Sequence, residues 1–217
     1  MVVRGSLRGV NARYRKVVIT FALMVPAACA LAMLFPAPSA YASVSIAIPF
    51  DDLVRESVAA VLVTPESASV VWEEGRIITY TKSHIDTVVA GSVAGATEIW
   101  VRTRGGDIGQ VGQAAEGEAV LTTGRPTLLF VRAPNAHAAT PYVVTARAQG
   151  QFPVATDADG ALRVYASDAV GLLMPKAATA GRAPLAPHPL ASEVLHGHTL
   201  PDAKAAIARA WGPQHAP

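Results

Sequence analysis

The sequence has a single cysteine among its 217 residues, and this residue, Cys29, lies inside an apolar run near the N terminus. One cysteine cannot form an internal disulfide, and it cannot supply the several thiolates of a zinc site. If the N-terminal segment is removed, the remaining chain has no thiol nucleophile either. The fold must therefore be stabilised by its own hydrophobic core, for which about 175 residues are enough.

Basic residues are scarce outside the N terminus. The first 42 residues contain five of the 18 basic residues and no acidic residue, so the rest of the chain has 13 basic against 16 acidic residues, a net charge of −3. The sequence pI of about 8.9 therefore reflects the N-terminal segment. A nucleic-acid interface needs a concentrated basic surface, so none is expected on the folded part.

The motifs of common enzymes and metal sites are also missing. There is no Gly-x-Ser-x-Gly sequence, and His196 and His198 are two residues apart instead of the four of a helical zinc pair. An EF-hand loop starting at Asp157 would need glycine and glutamate where Leu162 and Asp168 stand. We therefore predict no cofactor and no metal, and a hairpin turn at residues 157–160.

The N-terminal segment has the order of a signal peptide. Basic residues up to position 16 precede an uncharged apolar run at 17–35, followed by prolines and the small-residue sequence Ala40-Tyr41-Ala42. Cleavage after Ala42 would give Ser43 as the mature N terminus and a periplasmic or extracellular protein. The run is also long enough to span a bilayer, so the alternative is an uncleaved anchor at 17–35. This anchor would be the only membrane contact that we expect.

From residue 43 onward, short β-branched stretches alternate with glycine- and proline-containing turns. We predict a β domain over 43–174, a Pro/Ala-rich linker over 175–199 and a short helix over 200–212. Because no crossover helices separate the strands, the fold class is mainly β, a small antiparallel barrel or sandwich with a short helix at each end. The predicted strands are 58–63, 70–72, 76–89, 98–103, 118–121, 127–132, 141–148, 152–156 and 161–166, after a helix at 50–57.

Six sequence stretches together resemble a group of uncharacterised exported bacterial proteins: 50–57, 72–80, 100–106, 109–110, 117–118 and 149–152. Their layout is similar to that of netrin/TIMP-like domains, which implies an OB-like barrel preceded by a short helix. Inhibitors of the TIMP type bind a protease zinc through an N-terminal cysteine, whereas this chain would begin at Ser43. No functional residue is transferred from that family, and a protease-inhibitor-like module is kept as an alternative.

Besides that module, two functions remain open from the sequence. The first is a non-enzymatic exported domain that binds an unknown protein or envelope ligand, and the second is a secreted hydrolase-type enzyme that uses His84 and Asp86. A groove lined by Trp72, Tyr80 and Trp100 would favour binding.

The glycine-rich segment 104–113 is costly in backbone entropy, and Trp100 lies on the strand face opposite Ile99 and Val101. These features predict a partner-binding surface around Trp100. The alternative is that Trp100 is buried in a two-sided core. The predicted surface consists of Trp100, Arg102, Arg104, Asp107 and Gln110.

Overall fold

The computed structural model describes residues 44–133, 141–175 and 188–215, all of which belong to one compact unit, residues 42–217. The predicted signal peptide or anchor lies outside the described residues, as do residues 176–187 of the predicted linker. Within these ranges, no helix is both long and apolar enough to cross a membrane.

Eleven strands and three α-helices are found in the described ranges. The strands are β1 (Val44–Ile46), β2 (Ala59–Glu73), β3 (Arg76–Gly91), β4 (Glu98–Arg104), β5 (Gly106–Ile108), β6 (Val111–Gln113), β7 (Thr127–Arg132), β8 (Tyr142–Val144), β9 (Gln151–Thr156), β10 (Leu162–Val164) and β11 (Leu172–Met174). The helices are α1 (Phe50–Arg55), α2 (Ala191–Leu195) and α3 (Leu200–Gln214), with 3₁₀ turns at Arg147–Gly150 and Asp168–Val170.

Five of the strands close into a barrel. Antiparallel pairing joins β2 to β3 and β3 to β4, β4 runs parallel to β8, and β7 pairs antiparallel with both β8 and β2. The ring order β2-β3-β4-β8-β7 is that of an OB-type Greek-key barrel. The hairpin of β9 and β10 continues the sheet beyond β7. The predicted fold class, a mainly β barrel or sandwich with a short helix near each end, is therefore confirmed.

The β2–β3 hairpin is long and bulged. Its register shifts three times, between Ala60 and Val61, Leu62 and Val63, and Pro65 and Ser67. Only residues 59–63 of β2, which we call the barrel half, also pair with β7. Residues 64–73, the outer half, pair with β3 alone. Pro65 has no N–H for a second ladder and stands where the pairing with β7 has ended.

Successive residues of the barrel half point into two separate cores. Ala59, Val61 and Val63 face the barrel interior, where they meet side chains of β4, β7 and β8. Ala60 and Leu62 face outward, into a second core beneath the helices. Because all five side chains are buried, this stretch reads as a continuous apolar run in the sequence instead of an alternating one.

The second core is formed by the helices against β2, β7, β9 and β10. Phe130 at its centre makes edge contacts with Phe50 of α1 and Phe152 of β9, with ring centroids 6.3 and 6.2 Å apart. Helix α3 contributes Leu200 and Ile207, which lie on one face at helical spacing. The predicted C-terminal helix thus forms part of the domain core.

Other sequence predictions differ from the structure in detail. Residues 118–121 do not form a strand; the side-chain amide of Gln151 instead satisfies both the N–H and the C=O of Val120. The 104–117 segment contains the β5–β6 hairpin. The stretch predicted as a linker holds α2, with Leu195 buried. At α1 the N-cap is Pro49, and Asp51 and Asp52 lie in the first turn.

Candidate functional site

Strand β4 has one face in the barrel and one in solvent. Ile99 and Val101 are buried in the barrel core, while the side chains between and after them point outward. Trp100 is 40% exposed. The interpretation of Trp100 as a residue of a two-sided core is therefore wrong, and the alternation read from the sequence is confirmed.

The strand register places an outward row of β3 beside that of β4. Lys82 lies opposite Trp100, and Tyr80 lies opposite Arg102. We call the surface formed by these four side chains the Trp100 face. Three carboxylates border it: Glu66 and Glu73 from the outer half of β2, and Glu98 from the start of β4.

Lys82 is held between two of these carboxylates. Its Nζ lies 2.7 Å from Oε1 of Glu98 and 3.5 Å from Oε2 of Glu66. The hydrogen bond to Glu98 raises the pKa of Lys82, and the charge of Glu66 adds to this effect. The ammonium group therefore stays charged beside the tryptophan, with its charge balanced locally.

A second network holds the other end of the face. Tyr80 donates its hydroxyl hydrogen to Oε1 of Glu73, and Nη2 of Arg102 donates to Oε2 of the same carboxylate at 2.8 Å. The hydrogen bond from Tyr80, and then that from Arg102, lower the pKa of Glu73. The hydrogen bond between Tyr80 and Glu73 also raises the pKa of Tyr80, because it stabilises the neutral phenol. Both oxygens of Glu73 are thus occupied.

The chemistry of the face follows from these pairs. An indole ring stands among charged groups that neutralise one another, so the surface attracts a polyanion only weakly. Its polar side chains are already positioned, which lowers the conformational entropy lost when something binds. The face is suited to contact by an aromatic anchor with directional polar groups around it.

The five predicted site residues do not form one surface. Arg102 lies on the Trp100 face, and Arg104 continues the same outward row of β4. Asp107 lies on β5, and Gln110 is in the turn that joins β5 to β6. The base of that hairpin packs on the opposite side of the sheet, where Gly106 approaches side chains of residues 70 and 79. The base of the hairpin that carries Asp107 and Gln110 therefore lies on the other face of the sheet from Trp100.

Of the residues around Trp100, the sequence pointed to Tyr80 but not to the three carboxylates. Tyr80 and Lys82 share a face of β3 by simple alternation, and that signal was present in the sequence. Glu66, Glu73 and Glu98 could not be assigned, because their positions depend on the bulge at Pro65 and on the pairing register of three strands.

The residues of the enzyme alternative line neither of two cavities in the described part of the chain. His84 and Asp86 are exposed on β3, and a carboxylate oxygen of Asp86 accepts the hydroxyl hydrogen of Thr64 at 2.8 Å. One cavity, of about 160 Å³, lies near Gln149 and Gln151, and the other, of about 360 Å³, lies beside α1.

The aspartates of the 157–160 turn are used within the hairpin. Asp157 and Asp159 each lie 2.8 Å from the guanidinium of Arg163. The predicted turn between β9 and β10 is confirmed. In the described ranges, no group of three or more histidine, cysteine, aspartate or glutamate residues is placed to hold a metal ion.

No protein-family model, no curated protein and no solved structure matches this chain. The resemblance to exported bacterial proteins and to the netrin/TIMP-like layout therefore stays a prediction.

Proposed function

We propose that this protein is an exported, non-enzymatic binding domain that captures a protein or ligand of the cell envelope on its Trp100 face. The observation that carries the proposal is the exposed indole of Trp100, which is surrounded by side chains already fixed in ion pairs. A large aromatic side chain held this way is typical of an interface anchor.

The position of the face within the barrel supports the proposal. OB-type barrels bind their ligands on the outer surface of their second and third strands, and here those strands are β3 and β4. Proteins of this class bind oligonucleotides or oligosaccharides, but the local balance of charge disfavours a nucleic acid. A protein surface or an uncharged envelope ligand fits the face better.

The two alternatives have less support. A hydrolase built on His84 and Asp86 would need a cleft that encloses its substrate, and these side chains are exposed on the strand. A protease-inhibitor-like module has only the strand layout in its favour. Neither alternative uses the Trp100 face.

The proposal is tested by capture from an envelope extract with the full chain as bait. Trp100→Ala should remove the captured component, because an anchor of this kind contributes about 2 kcal/mol or more to binding. Leu162→Ala is the matched control, since Leu162 is 47% exposed but lies on β10. If both variants capture the component equally well, the Trp100 face is not the binding surface.

Export is tested on the same expressed protein. Intact mass should show a mature chain that begins at Ser43. Recovery of the full-length chain from the membrane fraction would instead favour the anchor at 17–35.

A further inference from the structure

The cavity beside α1 contains charged groups of both signs. Its volume is about 360 Å³, which lies within the range of small-molecule sites in proteins. The chain between β1 and α1, one side of α1 and residues 146–149 form its lining. The charged side chains of this lining are Asp52, Glu56 and Arg147.

Arg147 brings a guanidinium with unused donors to this cavity. Its Nε lies 3.3 Å from Oε2 of Glu118, a residue that is only 8% exposed. In the described part of the chain, the two Nη groups of Arg147 have no hydrogen-bond or ion-pair partner. Two such groups can donate together to one carboxylate. Arg147 can therefore bind an anionic group while it stays paired with Glu118.

The backbone around Arg147 is held in an unusual conformation. Ala146 and Arg147 have φ values of 53° and 59°, in the left-handed region that residues with a Cβ rarely adopt. The N–H of Ala148 donates to the C=O of Gly117 at 3.1 Å. A Cβ at Gly117 would lie only 3.0 Å from Oγ of Ser45, so this glycine lets β1 approach the turn closely. Backbone strain of this kind persists only where the surrounding structure maintains it.

The negative charge of the cavity comes from α1 and its C-terminal end. Glu56 is exposed, and its carboxylate has no hydrogen-bond or ion-pair partner among the described residues. Asp52 lies one turn earlier on the same face and is paired with Arg55. Glu56 and Arg147 do not form an ion pair with each other, although they line the same cavity. Each can therefore meet a charged group of a ligand that lies between them.

Much of the remaining lining is apolar. Ile46, Ile48 and Pro49 contribute to it, and Ile46 is 66% exposed. The side-chain amide of Gln149 also lies there, but it is already bonded to the C=O of Ile46 and the N–H of Ile48. The lining thus offers one free carboxylate, one guanidinium with free donors and an apolar surface.

We propose that this cavity binds a small zwitterion with an apolar side group, of the size of a free amino acid or a dipeptide. The ammonium group pairs with Glu56, the carboxylate accepts hydrogen bonds from Arg147, and the apolar group packs against Ile46 and Ile48. A ligand with only negative charge is repelled by Glu56, and one with only positive charge leaves the donors of Arg147 unused. No residue of the Trp100 face lines this cavity, so the inference does not rest on the proposed function.

The test titrates the full chain calorimetrically with leucine and with leucyl-leucine. At least one of them should bind with a Kd of about 1 mM or lower, and the tighter one gives the size of the ligand. N-acetylation removes the positive charge and C-terminal amidation removes the negative one, so each should weaken binding about tenfold or more. Glycine or glycylglycine should bind about tenfold more weakly than its leucine counterpart. No binding of either zwitterion, or equal binding of the blocked forms, would overturn the inference.

Variants assign each charge of the ligand to its residue. Glu56→Gln should bind the free and the N-acetylated forms equally, because the partner of the ammonium group is gone. The double variant Arg147→Gln with Glu118→Gln should bind the free and the amidated forms equally, and it leaves no buried carboxylate unpaired. Glu74→Gln and Arg125→Gln change exposed residues elsewhere and should bind like wild type. If Glu56→Gln still discriminates tenfold against the acetylated form, the inference is wrong, whether or not the double variant folds.

Discussion

The two halves of β2 differ although they belong to one continuous strand. Residues 59–63 pair on both edges and bury every side chain in one of two cores. Residues 64–73 pair on one edge and are largely exposed. The first half holds the barrel together, whereas the second half supplies carboxylates to the Trp100 face and leaves an edge open. One hairpin therefore provides both the scaffold and the recognition surface. If so, substitutions in the buried cores should lower stability, whereas substitutions on the exposed face should change binding.

The largest effect is expected in the core beneath the helices. Phe130 of β7 is completely buried beneath α1, so Phe130→Ala should lower the free energy of unfolding by about 3–5 kcal/mol. Chemical denaturation measures this loss. A change below about 1 kcal/mol would mean that the helices do not stabilise the sheet as described.

A smaller loss is expected from Gln151, which is 2% exposed and bonds both backbone groups of Val120. Gln151→Ala should lower the free energy of unfolding by about 1–3 kcal/mol, because it leaves those groups unpaired. Gln149 makes a similar pair of bonds to Ile46 and Ile48 from a more exposed position. In the same denaturation experiment, Gln149→Ala should therefore lower the free energy of unfolding by less than Gln151→Ala does. A larger loss for Gln149→Ala would contradict this account.

On the Trp100 face, removal of an exposed side chain should barely change the free energy of unfolding. Trp100→Ala should shift the free energy of unfolding by no more than about 0.5 kcal/mol, although it removes binding. Thermal unfolding of this variant beside Leu162→Ala makes the comparison. A melting temperature many degrees lower for Trp100→Ala alone would place the indole in the core.

The smallest effect depends on pH. The pKa of Glu73 is lowered from its ordinary 4.5 by Tyr80 and Arg102, so the folded state favours the carboxylate. Its contribution to stability is present above pH 4.5 and is lost as the pH falls through the lowered pKa. Between about pH 3 and 6, the melting temperatures of wild type and Glu73→Gln should therefore converge at the acid end. A difference that grows on acidification would contradict the described network.

The sequence predicted local features better than distant ones. The two faces of β4, the turn before Gly160 and the helix after Thr199 follow from alternation, glycine and capping, which are short-range signals. The parallel pairing of Val101 with Tyr142 closes the barrel across about 40 residues of chain, and no local pattern encodes it. The same limit explains why Tyr80 could be placed with Lys82 but not with Glu73. The strand prediction for residues 118–121 was wrong because the sequence does not show that a glutamine side chain, instead of a neighbouring strand, pairs with this apolar stretch.

The most direct test of the central claim is oxidative footprinting of tryptophan in the full chain, alone and with envelope extract. Trp100 should be oxidised readily in the isolated protein and protected by the extract. Trp211, which is partly buried against the second core, should react more slowly and to the same extent in both samples. A Trp100 that resists oxidation in the isolated protein would contradict its exposure. One that stays reactive while a partner is captured would contradict its role as the anchor.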